Sequence, residues 1–289
     1  MLDVILSQVV NGLVLGFLYV LIALGLSIVF GMLGLVNFAH GVFFALGAYF
    51  ALSLQQGLGG YAVVLAPIGV AIVGMLIEMT LMRPLYDKEP LLGLFMTFGL
   101  ALFVEELIRT IWGSIGHPFG APEWLSGFLL FGPILVTKYR LAVLVVTVLI
   151  IVAIWLFLEK TAYGRIIRAG SRDPEMVSML GINLKRVFTG VFGLGTCLAG
   201  IAGILAAPLW SVQPSLAEQA IMPAFVVVTI GGLGSFAGAV ISGLLVGVAV
   251  ALTVQFWPLA ATAVMYVLMV VVLLVRPRGL FGERWERFE

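Results

Sequence analysis

Charge is scarce in this chain. Only 10% of its 289 residues are Asp, Glu, Lys or Arg, and 62% are hydrophobic; soluble domains run near 25% charged and about 45–50% apolar. A soluble fold of this length has too little interior to hide that much apolar surface, and the mean hydropathy of +1.21 points to a lipid solvent instead. Cysteine is nearly absent: Cys197 stands alone in an apolar run, which excludes an internal disulfide and leaves it as a small packing residue. The two histidines, His40 and His117, have no companions at metal-ligand spacing, so no metal site is expected. The dipeptide Gly-Lys never occurs, which removes the phosphate-binding loop of nucleotide hydrolases. No serine lies in a nucleophile motif. Net charge is +1, so no global electrostatic attraction to nucleic acid is implied. The N-terminus lacks the basic region of a cleavable signal, and the first apolar run is too long to be one.

What remains is a series of apolar runs, at about 4–30, 38–54, 60–82, 90–112, 140–158, 187–209, 220–233, 236–256 and 258–275. About 20 apolar residues cross a bilayer as a helix. The expected fold is an all-α polytopic membrane protein of about 8–10 transmembrane helices, in one domain over 1–289. Two runs are short and glycine-interrupted. The run at 38–54 follows a break at 31–37, and the run at 220–233 ends in Gly231-Gly232-Leu233-Gly234. Broken helices are tolerated at membrane depth where protein or a water-filled path covers the backbone, and they point to a transport route. An ordinary kink is the alternative.

Orientation follows from the basic residues. Lys160, Arg165, Arg168, Arg172, Lys185 and Arg186 crowd the loop 159–186, and Arg276, Arg278, Arg284 and Arg287 the tail 276–289; Arg83 and Lys88 lie in the short loop 83–89. The positive-inside rule places these segments in the cytoplasm, the N-terminus outside and the C-terminus inside. The segment 113–138, with Trp124, Pro118, Pro122 and Pro133 following Trp112, is then an external interfacial loop. Small residues four apart (Gly12 with Gly16, Ala199 with Gly203, Gly234 with Gly238, Gly243 with Gly247) predict close helix contacts.

Two polar regions carry candidate function. In 159–186, Asp173 suits an N-cap with Pro174 at the first helical position, Gly181 suits the C-cap, and Glu175 complements the positive end of the helix dipole. That short helix presents Met176, Met179 and Leu180 to a partner's groove; the same charges also suit a solvated loop that only sets topology. The second region is the break, where Asn37 would cap the next helix or merely satisfy backbone groups, and His40 follows. Thr97, Thr229 and Ser235 are small polar groups able to line a path or to bond neighbouring helices. Glu78 lies near a cytoplasmic end, and Glu105 and Glu106 are placed to pair with Arg109 at the opposite end. No carboxylate falls mid-span, which counts against an ion-coupled secondary transporter.

Gly34-Leu35-Val36-Asn37-Phe38-Ala39-His40-Gly41 followed by Gly47-Ala48-Tyr49, the loop ending Leu180-Gly181-Ile182-Asn183, the segment 231–239, and the closing Arg276-Pro277-Arg278-Gly279-Leu280-Phe281-Gly282 together resemble the permeases of branched-chain amino acid ABC importers. The matches come in the family's order. Val42 and Phe43 stand where the family usually has an acidic or polar residue, and relatives with this signature also import urea, short amides and aromatic acids. The resemblance implies a multi-pass subunit of a bacterial inner membrane, without an ATPase site or cofactor of its own. ATP would be bound by two cytoplasmic ATPase subunits. A second permease chain, homologous or identical, and a periplasmic binding protein would complete the importer. It also implies an ATPase-coupling segment comprising Arg168, Arg172, Asp173, Glu175, Met176, Met179, Leu180 and Gly181. The candidate path residues, read from the two broken helices and the small polar groups, are Asn37, His40, Gly41, Thr97, Thr229, Gly231 and Gly232.

Overall fold

A computed structural model describes residues 1–86, 88–131 and 134–282. Arg284 and Arg287 of the tail, and Pro133, lie outside the described residues. The elements are α1 (Leu2–Leu33), α2 (His40–Leu58), α3 (Ala62–Ile77), α4 (Pro90–Trp112), β1 (Phe128–Phe131), β2 (Ile134–Thr137), α5 (Lys138–Lys160), α6 (Ala162–Arg172), α7 (Pro174–Met179), α8 (Leu184–Trp210), α9 (Leu216–Gly231), α10 (Phe236–Phe256) and α11 (Ala261–Val275).

Among the described residues, seven stretches are long and apolar enough to cross a membrane. One, His40–Leu85, has 46 residues. As a straight helix it would reach about 70 Å, more than twice a hydrocarbon core of about 30 Å. It folds at Gly59, whose φ of 54° is cheap only for glycine. The two arms return on each other: Gly69 faces the Phe50 ring, and Ala66 packs with Ala51. One of seven stretches therefore counts twice, which makes eight, and the 16-residue α9 is a shorter apolar helix beside them. This is the many-helix membrane architecture expected, with one addition. Segment 113–138 is not a plain loop: β1 and β2 form an antiparallel hairpin within it, Phe128 opposite Thr137 and Phe131 opposite Ile134.

α1 and α8 are the inner helices. They bury 78% and 72% of their most apolar stretch, whereas the last span buries 6%. α3, α4, α5 and α11 turn Ile72, Phe103, Leu149 and Leu274 outward, exposure that only lipid makes cheap. One end of the bundle gathers the contacts of Met32 with Gly170, Arg83 with Thr189, and Ile230 with Leu280. The other end is tied by the amides of Gln8 and Gln255 (2.8 Å), by Arg140 bonding Asn11, and by Trp112 donating to Ser53 (2.9 Å). There too, His117 and Val212 exchange backbone bonds of 2.7 and 2.9 Å.

The small-residue pairs of α1 and α10 meet each other. A Cβ on Gly16 would lie 2.9 Å from the Gly243 carbonyl, and one on Gly12 would lie 2.6 Å from the Val248 Cα. Gly234 is different: it precedes α10 with a φ of 80°, so it is a turn glycine and not half of a helical pair with Gly238. Gly16→Val and Gly247→Val are each expected to destabilise the detergent-solubilised protein by about 1–3 kcal/mol, because the two backbones must separate. Gly99→Ala, where nothing lies within 4 Å, is expected to leave the melting temperature unchanged or raised. Thermal unfolding of the three variants side by side checks this.

Candidate functional site

The break between the first two helices lies later than the sequence suggests. α1 runs through Gly31 to Leu33 and stops at Gly34, which takes the left-handed conformation (φ 68°) and returns its N–H to the Phe30 carbonyl at 2.8 Å. Segment 34–39 then turns back into the bundle. The His40 imidazole, at the first residue of α2, lies beside Gly25: a Cβ there would be 2.9 Å from Nε2. Gly25 is about two turns of α1 above its end, or roughly 12 Å at 1.5 Å per residue.

Asn37 does not cap α2. The cap position belongs to Ala39, which has no side chain to offer, while the Asn37 main-chain carbonyl accepts from His40 N–H at 3.2 Å. The Asn37 side chain is turned inward and buried, and neither its oxygen nor its nitrogen has a hydrogen-bond partner. His40 is fully buried, and neither ring nitrogen makes a hydrogen bond of standard geometry. The buried Tyr49 hydroxyl, further along α2, is likewise without a partner. Each unmatched buried group costs about 1–3 kcal/mol.

Neighbouring helices close around this break. Thr97 of α4 is fully buried, its hydroxyl 3.0 Å from the Leu94 carbonyl and 3.3 Å from that of Val36. Phe38 packs on Phe225 of α9 and edge-on to Phe98 of α4, at ring separations of 4.9 and 6.2 Å. Gly41 lies against the Ala217 carbonyl and Ile221 of α9, so only glycine fits between these first turns. Asn37, His40, Gly41 and Thr97 thus share one region.

Thr229, Gly231 and Gly232 belong to a second cluster. α9 ends at Gly231, and its last carbonyls, which no helical N–H can reach, are met by the C-terminal segment. Leu280 N–H donates to the Ile230 carbonyl at 2.8 Å, and Phe281 N–H to that of Gly231 at 3.0 Å. Gly279 adopts φ 79° beside Gly232, whose own φ is 99°, and Arg276 bonds the Leu280 carbonyl at 3.2 Å. The glycine motif at 231–234 and the closing motif at 276–282 are therefore two halves of one contact. Both motifs stand out in the sequence, but nothing local in it signals that they meet.

The loop at 162–183 is two short helices. Thr161 caps α6, accepting from Gly164 N–H at 3.0 Å, and Gly170 packs on Met32 at the end of α1. Asp173 caps α7 by accepting from Met176 N–H at 2.9 Å, with Pro174 at the first position. Leu180 is the C-cap, and Gly181, one residue later, carries the positive φ of 79°. Asn183 then caps α8 by accepting from Arg186 N–H. On α7 only Val177 is buried; Met176, Met179 and Leu180 are 61%, 84% and 74% exposed. Glu175 is exposed in its first turn. Arg168 pairs with Glu159 at 2.5 Å rather than projecting freely, and at the other end of the bundle Arg109 pairs with Glu105 at 2.5 Å. Among the described residues no group of three or more side chains is placed to hold a metal ion.

A bundle of many membrane-crossing helices, broken at Gly34 and carrying a structured loop outside the apolar region, has the form of a transport permease. The family described as "Branched-chain amino acid transport system / permease component" matches residues 8–274, and the chain belongs to it. It is 32% identical over 295 residues to the high-affinity branched-chain amino acid transport system permease protein LivH of Escherichia coli, covering 96% of this chain and 95% of LivH. The corresponding protein BraD of Pseudomonas aeruginosa matches at the same identity and coverage. LivM, another permease protein of that system in Escherichia coli, is 28% identical over 91% of this chain and 67% of its own. The chain is thus a multi-pass membrane permease component.

Gly232→Ala and Gly59→Ala both force alanine to a positive φ, at about 1–3 kcal/mol each. Only at Gly232 would the new methyl also meet backbone, that of Phe281 and Gly282; nothing lies within 4 Å of Gly59. Gly232→Ala is expected to lower the melting temperature clearly more, and to raise proteolysis of the segment after Val275. Equal effects would mean that the C-terminal contact adds nothing to stability.

Proposed function

We propose that this chain is the membrane-spanning subunit of an ATP-driven ABC importer for branched-chain or related small amino acids. It forms one transmembrane domain of a bacterial inner membrane and moves substrate by alternating access. ATP is bound by two cytoplasmic ATPase subunits and not by this chain, which takes no cofactor. A periplasmic binding protein delivers substrate. The second permease chain is a homologue, a reading supported by the occurrence of LivH and LivM as two permease proteins of one organism. The end of the bundle carrying Arg83, α6, α7 and Arg276 faces the cytoplasm, and the hairpin end faces outward, in keeping with the positive-inside rule. Asn37, His40, Gly41 and Thr97 border the path. A buried amide without a protein partner, beside an imidazole met only by the Ile22 main chain, is a polar pair that a polar solute or water can satisfy during passage. Thr229, Gly231 and Gly232 shape its cytoplasmic end.

The observation that carries this reading is α7. A helix of six residues capped by Asp173, with three large apolar side chains in the aqueous phase, is costly unless something covers them. An ATPase cleft suits it: each such side chain, once buried, contributes about 1.5–3 kcal/mol, less the cost of association. Arg172 and Glu175 flank this contact. Replacing Met179 and Leu180 together by aspartate is expected to release the ATPase and abolish ATP-dependent uptake of leucine in proteoliposomes. The melting temperature of the membrane domain should not change, because both side chains lie outside the bundle. Retained ATPase and retained uptake in that variant would overturn the assignment.

A further inference from the structure

Glu78 is the most deeply buried carboxylate among the described residues, with an exposure of 0%, and four hydrogen bonds from three side chains saturate it. Arg83 reaches it in a fork, Nε to Oε1 at 3.3 Å and Nη2 to Oε2 at 3.0 Å. Tyr86 donates its hydroxyl to Oε1 at 2.8 Å, and Thr189 of α8 lies 2.7 Å from Oε2. Arg83 also donates to the Thr189 hydroxyl at 2.6 Å, and its Nη2 lies 3.5 Å from the Lys185 carbonyl. The Tyr86 ring meets Phe188 edge-on at 5.3 Å. A buried charge is tolerable only with such partners, and every one of them belongs either to residues 83–86, just beyond α3, or to the first turns of α8.

The local backbone is built for this contact. The helix loosens into a π-turn over Glu78–Met82 just before Pro84, which lacks the N–H that would continue the ladder. Turns of this kind re-aim side chains and recur at functional places. On the other side, four residues separate α8 from α7, and the first half of α8 packs closely on α3 and α1. Met75 fills the space at Gly193, Gly74 abuts Thr196, and Gly195 faces the Gly25 carbonyl. Gly25 in turn backs onto His40 at the break. The Glu78 cluster is therefore the polar fastening between α3 and α8 nearest to α7, on a helix that leads from the coupling loop to the break.

We propose that Glu78, Arg83 and Thr189 form the joint that makes α3 and α8 move as one body when α7 is displaced. Glu78 is thus a positioning residue for transport, and breaking the joint uncouples ATP hydrolysis from substrate movement. The inference rests on the importer reading given above. Thr189→Val decides it, because the side chain keeps its shape and loses only the hydroxyl that bridges Arg83 and Glu78; Thr189→Ser restores the hydroxyl, and Glu78→Gln removes the charge. The experiment uses the assembled permease–ATPase complex in proteoliposomes with its binding protein, and measures leucine uptake and ATP hydrolysis on the same sample. Thr189→Val and Glu78→Gln should keep the ATPase bound and hydrolysis within about twofold of wild type, while uptake per ATP falls about tenfold, the scale of one hydrogen bond to a charged group. Thr189→Ser should return uptake per ATP to near the wild-type value. An unchanged uptake per ATP in Thr189→Val overturns the proposal, and so does a proportionate fall of uptake and hydrolysis, which marks a merely structural contact. If the unaltered permease retains no ATPase at all, the importer reading fails before any substitution is compared, and the joint fails with it.

Discussion

Backbone-to-backbone packing along α8 is the contact on which the other arrangements depend. In lipid no hydrophobic drive separates one apolar helix face from another, so association relies on close van der Waals fit and on interhelical polar bonds. Glycines at 195, 200 and 203 bring the α8 main chain against Gly25 of α1, Gly47 of α2 and Phe44 of α2, respectively, and Gly200 also receives Val70 of α3. A side chain at any of these positions would push a neighbour away. Because α1 and α2 are both held this closely to one central helix, the chain that joins them is free to leave helical form.

That freedom is what the break uses. Segment 34–39 leaves main-chain groups outside any helical ladder, which lipid would not tolerate, and Thr97, Phe98 and Phe225 cover it. The same enclosure keeps Asn37 and His40 from water, and it gives the Asn37 amide no protein partner and the His40 ring only the Ile22 main chain. Natural proteins concentrate such unpaired groups where another conformation or a ligand uses them. The α9 end shows the opposite solution. There the exposed carbonyls of Ile230 and Gly231 are paired by the returning chain at Leu280 and Phe281. One interruption is sealed and one is left polar and open to partners.

Much of this was legible in the sequence, for definite reasons. Long apolar runs mark membrane helices because lipid imposes a length and forbids charge, and the elements from α1 to α11 recover nearly every run. The α7 boundaries were readable because Asp173, Pro174 and Gly181 act on their own immediate backbone. Four features were not. Asn37 looks like a cap, but the helix begins three residues later, and only tertiary packing decides that the amide turns inward. The hairpin at 128–137 reads as apolar loop because its strands are four residues each and too short to display alternation. The pairing of 230–231 with 280–281 is long-range, and the glycines at 232 and 279 record a need for space without saying for what. Arg168 was expected to face a partner, yet Glu159 lies at its own helix pair and takes it locally.

The central claim is that the buried polar groups at the break, the unpaired Asn37 amide above all, serve passage of substrate. Asn37→Leu tests this most directly, because leucine keeps the branched skeleton of asparagine, with as many side-chain heavy atoms, and lacks the two buried polar atoms. Removing an unsatisfied buried amide should stabilise the fold by about 1–3 kcal/mol, seen as a higher melting temperature in detergent. ATP-driven leucine uptake by the assembled complex should fall at least about tenfold, on the same energy scale. A variant that is more stable and transports as well as the parent would contradict the account and leave Asn37 as a packing residue with an unneeded amide.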